Sequence, residues 1–121
     1  MAVDTKVIID EGILDSYRAL QDEGEPDVVT EFIDVFLEDL PARIERLRET
    51  VASGDPKAIR SAAHAIRGSS GSVGAVALSG LCAQLEEYAS TGSIEGATAL
   101  LAAIEPEAVR AREGLTKLRR P

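Results

Sequence analysis

The 121-residue chain has little aromatic character: 3% of its residues are aromatic, with two tyrosines, two phenylalanines and no tryptophan. Strands are normally enriched in aromatic and β-branched side chains, and this sequence is rich in Ala, Leu, Glu and Arg instead. The composition therefore favours an all-α fold. Apolar residues make up 45% of the chain and charged residues 28%, a balance typical of a folded domain rather than of a disordered segment.

Cysteine and histidine are each present once, as Cys82 and His64. One cysteine cannot form an internal disulfide, and we expect the chain to work in the reducing cytoplasm. A zinc site needs about four soft ligands, and a di-iron bundle needs two Glu-x-x-His pairs, so the sequence predicts no metal site within one chain. A Gly-rich phosphate loop ending in Gly-Lys-Ser/Thr is also absent. Any chemistry that uses histidine must centre on His64.

Positive charge is scarce as well. The chain has 13 Lys and Arg residues against 21 Asp and Glu residues, which gives a net charge of −8. This balance argues against binding to nucleic acid or to an anionic membrane surface. The sequence has no apolar run of about 18 residues that would span a bilayer. Residues 1–10 lack the basic start and long apolar run of a secretory signal. The length is typical of one domain, and we interpret residues 1–121 as a single unit.

Apolar residues recur every three or four positions in five stretches separated by short Gly- or Pro-containing breaks. This periodicity predicts helices over residues 11–20, 28–51, 56–73, 75–90 and 94–118. Because the connections are short, successive helices should be antiparallel neighbours. The predicted architecture is an antiparallel four-helix bundle with an additional N-terminal helix.

Several residues are expected to begin, end or bend these helices. Asp10, Asp27 and Asp55 are candidate N-caps, and Gly24-Glu25-Pro26 should end the first helix. Pro41 should kink or split the long second helix, and Pro106 should kink the last one.

The third predicted helix carries the chemically interesting residues. At about 100° per residue, its apolar side holds Ile59, Ala62 and Ile66, so His64 should face solvent on the opposite side. Within roughly 60° of His64 on that geometry lie three cations, one serine and two glycines: Lys57, Arg60, Ser61, Arg67, Gly68 and Gly71.

Glycine within a helix costs about 1 kcal/mol relative to alanine. Its presence here indicates a need for bare backbone, so that a macromolecule can approach the imidazole. Neutral imidazole is a nucleophile at physiological pH. The negative charges of a phosphorylated histidine could be held by Arg67 through charge-assisted hydrogen bonds. Since the sequence predicts neither a nucleotide site nor a metal site, the rest of the transfer machinery should come from a partner.

Residues 64–75, HAIRGSSGSVGA, resemble the signature of histidine phosphotransfer (HPt) domains, His-x-Leu-Lys-Gly-Ser-Ser/Ala-x-x-x-Gly-Ala. Six residues match it outright: His64, Gly68, Ser69, Ser70, Gly74 and Ala75. Ile66 and Arg67 replace Leu and Lys with residues of the same class. The resemblance implies a cytoplasmic relay protein of multistep two-component signalling. His64 would accept a phosphoryl group from the aspartate of one receiver domain and pass it to the aspartate of another. The receiver would supply Mg²⁺ and most catalytic groups, so the chain itself is expected to be a phosphocarrier rather than an enzyme.

The family docks receivers on a surface around the histidine helix, with contributions from the first two helices. Some members place a Gln on the following helix to orient the imidazole. The matching position here is Glu86, with Gln84 nearby, and either side chain could serve. An adaptor that binds receivers without being phosphorylated is the alternative function. We expect a monomer, and the sequence names neither the cognate kinase and response regulator nor the direction of phosphoryl flow.

Overall fold

The computed structural model describes residues 7–25 and 27–120. These residues form helices and no strand, which confirms the all-α prediction. The elements are the helices α1 (Glu11–Ala19), α2 (Val28–Ser53), α3 (Pro56–Ser72), α4 (Val76–Ser90) and α5 (Ala97–Leu118).

Helices α2 to α5 form the bundle. The pairs α2–α3, α3–α4, α4–α5 and α2–α5 all pack together, and α1 lies against α2. Successive bundle helices are joined by residues 54–55, 73–75 and 91–96, and connections this short between packed helices make them antiparallel. The centre is filled by fully buried aliphatic side chains from all four helices, among them Ile33, Leu47, Ile59, Ile66, Leu78, Leu85, Ile104 and Leu115.

Aspartate side chains begin the first three helices as predicted. The carboxylates of Asp10, Asp27 and Asp55 each accept a hydrogen bond from a backbone N–H in the first turn of the helix that follows. Gly54 ends α2 in the left-handed conformation, at φ +72°, and Pro56 opens α3. These caps set where α3 begins and thereby which of its residues face the core.

Neither proline ends its helix. Helix α2 continues through Pro41, which excludes a split there, and α5 continues through Pro106. The kinks expected at the two prolines stay predictions. Buried Leu40 and Ile44 on either side of Pro41 explain why packing outweighs the lost hydrogen bond. The last helix begins at Ala97 rather than at Ile94, which lies in the preceding turn. The Gly24-Glu25-Pro26 segment does not set the end of the first helix, because α1 ends at Ala19 and Gly24 lies in a separate turn at φ +90°. Pro26 itself lies outside the described residues, as do residues 1–6 of the N-terminus.

The N-terminal segment ties α1 to the end of the histidine-bearing helix. The backbone N–H of Asp10 donates to the carbonyl of Gly74 at 2.7 Å. Gly74 has φ +80°, and a Cβ there would lie 2.7 Å from the Asp10 carbonyl oxygen, so this contact needs glycine. At the other end of α1, Arg18 makes two hydrogen bonds to Asp27 and one to the Leu118 carbonyl. These contacts place α1 beside α2 and the C-terminal end of α3.

Candidate functional site

His64 lies near the middle of α3, on the side turned away from the core. Ile59, Ala62, Ala63 and Ile66 of the same helix are buried. The His64 side chain is 60% exposed. The solvent-facing position predicted from the helical wheel is therefore confirmed.

A carboxylate from α4 holds one edge of the imidazole. Glu86 Oε2 lies 2.8 Å from His64 Nδ1, and the Glu86 side chain is only 15% exposed. Its other oxygen, Oε1, lies 3.1 Å from Arg67 Nε as an ion pair. Arg67 Nη2 also lies 3.3 Å from His64 Nδ1. Glu86 thus contacts both the imidazole and the cation one turn further along α3.

These distances indicate which ring nitrogen carries the proton. A carboxylate can only accept hydrogen bonds, so the 2.8 Å contact requires that His64 Nδ1–H donates to Glu86. Arg67 can only donate, and Nδ1 already carries a proton. The longer contact of Arg67 with the same nitrogen is therefore an electrostatic interaction rather than a hydrogen bond. In this tautomer Nε2 bears the free lone pair. This lone pair belongs to a side chain that is 60% exposed.

Gln84 also lies on α4, and it is exposed. Of the two side chains that the sequence left open as partners of the imidazole, Glu86 makes the contact. The orienting role itself stays a prediction, because a contact does not show that transfer depends on it.

The remaining cations of the predicted site gather on the N-terminal side of His64. A shallow depression beside the imidazole is lined by Lys57, Arg60, Ser61, His64 and Glu86. We call it the imidazole depression. Arg67 instead borders a separate hollow on the α4 side, next to Glu86 and Arg60. The structure therefore brings all the predicted cations around one histidine: Lys57 borders the imidazole depression, Arg67 borders the hollow on the α4 side, and Arg60 borders both.

The two glycines of the site have different surroundings. A Cβ at Gly68 would meet no atom within 4 Å, so the backbone one turn beyond His64 is open. A Cβ at Gly71 would lie 3.3 Å from Ser79 Oγ of α4. The same Ser79 hydroxyl donates to the Arg67 carbonyl at 3.0 Å. The open backbone expected at both positions is found at Gly68, whereas Gly71 allows α3 and α4 to approach closely.

An apolar groove lies beside α3 on the α1–α2 side, lined by Tyr17, Phe32, Val35, Phe36, Asp39, Arg43, Ser69, Ser72 and Val73. Phe32 is 44% exposed and Val35 56% exposed, so large apolar side chains reach solvent here. The Tyr17 and Phe32 rings meet edge to face with centroids 5.7 Å apart. Arg43 borders the groove and reaches the Ala65 carbonyl next to His64, at 3.4 Å.

The apolar spacing of α2 predicts a mostly buried stripe that includes Phe32 and Phe36, part of which could surface beside His64 as a docking patch; it does not single out Arg43 or Tyr17. Phe36 is buried, whereas Phe32 is exposed in the groove beside α3. The periodicity of α2 alone could not show this, because the exposure depends on where α1 ends and how far it covers α2.

Other chemistry is not apparent in the described part of the chain. No group of three or more His, Cys, Asp or Glu residues among residues 7–25 and 27–120 is arranged to hold a metal ion. Cys82 is fully buried in α4, and burial raises the pKa of its thiol to about 12. For the same residues, no helix has the length and apolar character needed to cross a membrane.

Comparison with known proteins assigns the family. The sequence pattern of the Hpt domain matches residues 31–120, which include the whole of α3 and α4. The chain belongs to the Hpt domain family. This confirms the resemblance seen in residues 64–75.

Similar proteins carry phosphotransfer names. The Hpt chain is 32% identical over 93 residues to histidine-containing phosphotransfer protein 2 of Arabidopsis thaliana, covering 74% of this chain and 60% of that protein. It is 33% identical over 104 residues to histidine-containing phosphotransfer protein 5 of the same plant, covering 80% of this chain and 66% of the relative. The chain thus spans somewhat less than two thirds of the length of these relatives.

A solved structure agrees over nearly the full length. Histidine-containing phosphotransfer protein B (HptB) from Pseudomonas aeruginosa PAO1 superimposes with a TM-score of 0.83 at 31% sequence identity, covering 93% of this chain and 94% of that one. The helical fold described above is therefore that of a histidine-containing phosphotransfer protein.

Proposed function

We propose that this Hpt protein is a phosphocarrier of a multistep two-component phosphorelay. His64 accepts a phosphoryl group from the phospho-aspartate of one receiver domain and delivers it to the aspartate of another. The observation that carries the proposal is the imidazole itself, 60% exposed and held through Nδ1 by Glu86, which leaves the lone pair of Nε2 for the reaction. The chain supplies the carrier, and the receiver supplies the remaining groups of the transfer reaction.

The transfer can be written with this chain's own atoms. The Nε2 lone pair of His64 attacks phosphorus of the acyl phosphate, the P–N bond forms, and the P–O bond to the aspartyl carboxylate breaks. The ring becomes cationic while Nδ1–H stays hydrogen-bonded to Glu86, whose carboxylate balances that charge. A second receiver aspartate then attacks phosphorus, and His64 recovers its lone pair. Mg²⁺ bound on the receiver would neutralise charge on the phosphoryl and carboxylate oxygens.

Surfaces next to His64 support a macromolecular partner. The apolar groove lies along the same helix and exposes Phe32 and Val35, as expected where a protein docks transiently. The open backbone at Gly68 leaves room for the receiver to reach Nε2. We expect the protein to act as a monomer in the cytoplasm, with receiver domains of hybrid histidine kinases and response regulators as partners.

The test is phosphoryl transfer from a ³²P-labelled receiver domain to the purified protein. We expect acid-labile, alkali-stable label on the wild type, and none on His64→Gln, with the variant's circular dichroism unchanged because His64 is exposed. Nucleotide alone should give no label. Receiver binding that persists in His64→Gln, without any label on the wild type, would instead identify a non-phosphorylated adaptor.

A further inference from the structure

We propose that Arg60 and Lys57 hold the phosphoryl group on His64, while Arg67 stays on the opposite edge of the ring with Glu86. This assignment rests on the proposed function and concerns the same site. It departs from the sequence-based expectation that Arg67 binds the phosphoryl group.

Arg67 is already engaged at the edge of the imidazole that does not react. Its Nε lies 3.1 Å from Glu86 Oε1, and its Nη2 lies 3.3 Å from His64 Nδ1. The phosphoryl group would be on Nε2, the other ring nitrogen. Glu86 Oε1 is buried and makes no hydrogen bond within the described residues, so its ion pair with Arg67 is the interaction that offsets its burial. Moving Arg67 to Nε2 would break that ion pair, while Glu86 Oε2 would keep its contact with the imidazole.

Arg60 and Lys57 have no comparable ion-pair partner within the described residues. Both are exposed, and within the described part of the chain neither makes an ion pair with a carboxylate. Both line the imidazole depression with His64. Side chains on a helix lean towards its N-terminus, so the His64 ring lies over the turn that carries Arg60. A phosphoryl group on the exposed edge of the ring would then enter a depression lined by two cations that have no carboxylate partner.

The charge of the phosphoryl group determines the expected effect. A phosphoryl group carries roughly 1.5 to 2 negative charges near neutral pH, and nearby cations favour its more ionised form. Removing one exposed cation is worth up to about 1 kcal/mol. That corresponds to about a fivefold change in the second ionisation of the phosphoryl group, or roughly 0.7 pH units.

The experiment is a ³¹P NMR pH titration of the protein phosphorylated on His64 by phosphoramidate, a small-molecule donor. It compares the wild type with Lys57→Gln, Arg60→Gln, the double variant and Arg67→Gln. The control is Arg46→Gln, because Arg46 is an exposed arginine of α2 that borders neither the imidazole depression nor the hollow next to Arg67. We expect the midpoint to rise by about half a pH unit or more in Arg60→Gln. The rise should be largest in the double variant and negligible in Arg46→Gln.

Several results would overturn the proposal. A midpoint that rises in Arg67→Gln while the Lys57 and Arg60 variants titrate like the wild type would show that Arg67 holds the phosphoryl group. Equal shifts in all variants, Arg46→Gln included, would show only a general charge effect. If neither phosphoramidate nor a phosphorylated receiver labels His64, the proposed function fails and this assignment fails with it. Because Lys57 and Arg60 are exposed and unpaired among the described residues, their variants should fold normally.

Discussion

Gly68 offers a test in which stability and function should change in opposite directions. It lies inside α3, one turn beyond His64, and a Cβ there would meet no atom within 4 Å. Replacing glycine by alanine in an open helix interior stabilises by about 1 kcal/mol. For a domain of 121 residues the entropy of unfolding is about 0.25 kcal/mol per kelvin, so Tm should rise by about 4 °C.

Larger side chains at the same position should block the receiver. Gly68→Gln and Gly68→Arg should fold at least as well as the wild type, yet transfer from a phosphorylated receiver should slow on the order of a hundredfold, since small misplacements of reacting atoms have effects of that size. Thermal denaturation and the rate of label transfer measure the two effects separately.

Gly80 provides the matched control, because it is an exposed glycine inside α4 whose Cβ would also meet nothing within 4 Å. Gly80→Gln should stabilise the fold similarly and transfer at close to the wild-type rate. Normal transfer by Gly68→Gln, or equal slowing by Gly80→Gln, would refute the argument that bare backbone at Gly68 serves access to the imidazole.

Three further predictions follow from the contacts. Glu86→Ala should remove the acceptor of the His64 Nδ1–H bond and populate the other tautomer, seen as changed imidazole ¹⁵N shifts, whereas Glu86→Gln should keep the wild-type tautomer through its amide oxygen. Arg18 lowers the pKa of Asp27 well below its ordinary 3.8, so this pair should stabilise the fold above about pH 4 and lose that effect as the pH falls further. Asp27→Asn should therefore reduce the free energy of unfolding by about 2 kcal/mol at pH 7. It should also weaken the loss of stability that the wild type shows in acid. Gly74→Ala should destabilise by about 1–3 kcal/mol in urea titrations, because φ is +80° and a Cβ would clash with a backbone carbonyl.

The helices and the exposed histidine were accessible from sequence because both depend on local rules. Aspartate caps and glycine breaks mark where α2 and α3 begin and end, and the spacing of Ile59, Ala62 and Ile66 defines the buried side of α3. Once that side is known, the exposure of His64 follows from helical geometry alone.

Features that depend on two helices were less accessible. Glu86 and Gln84 lie two positions apart on α4, and only the packing of α4 against α3 brings the first one to the imidazole. Likewise Gly71 is on the same side of α3 as His64, yet the approach of Ser79 makes its surroundings different from those of Gly68.

Sequence alone could not decide between a kink and a split at Pro41 for a related reason. The intrinsic penalty of proline is a local quantity, whereas the burial that offsets it comes from the other helices of the bundle.

The most direct test of the account is a long-range ¹H–¹⁵N and ³¹P NMR analysis of the protein after phosphorylation by a receiver domain. We expect a single phosphohistidine at His64, linked through Nε2, with Nδ1 still protonated beside Glu86. A phosphoryl group on Nδ1, or on a residue other than His64, would contradict the account.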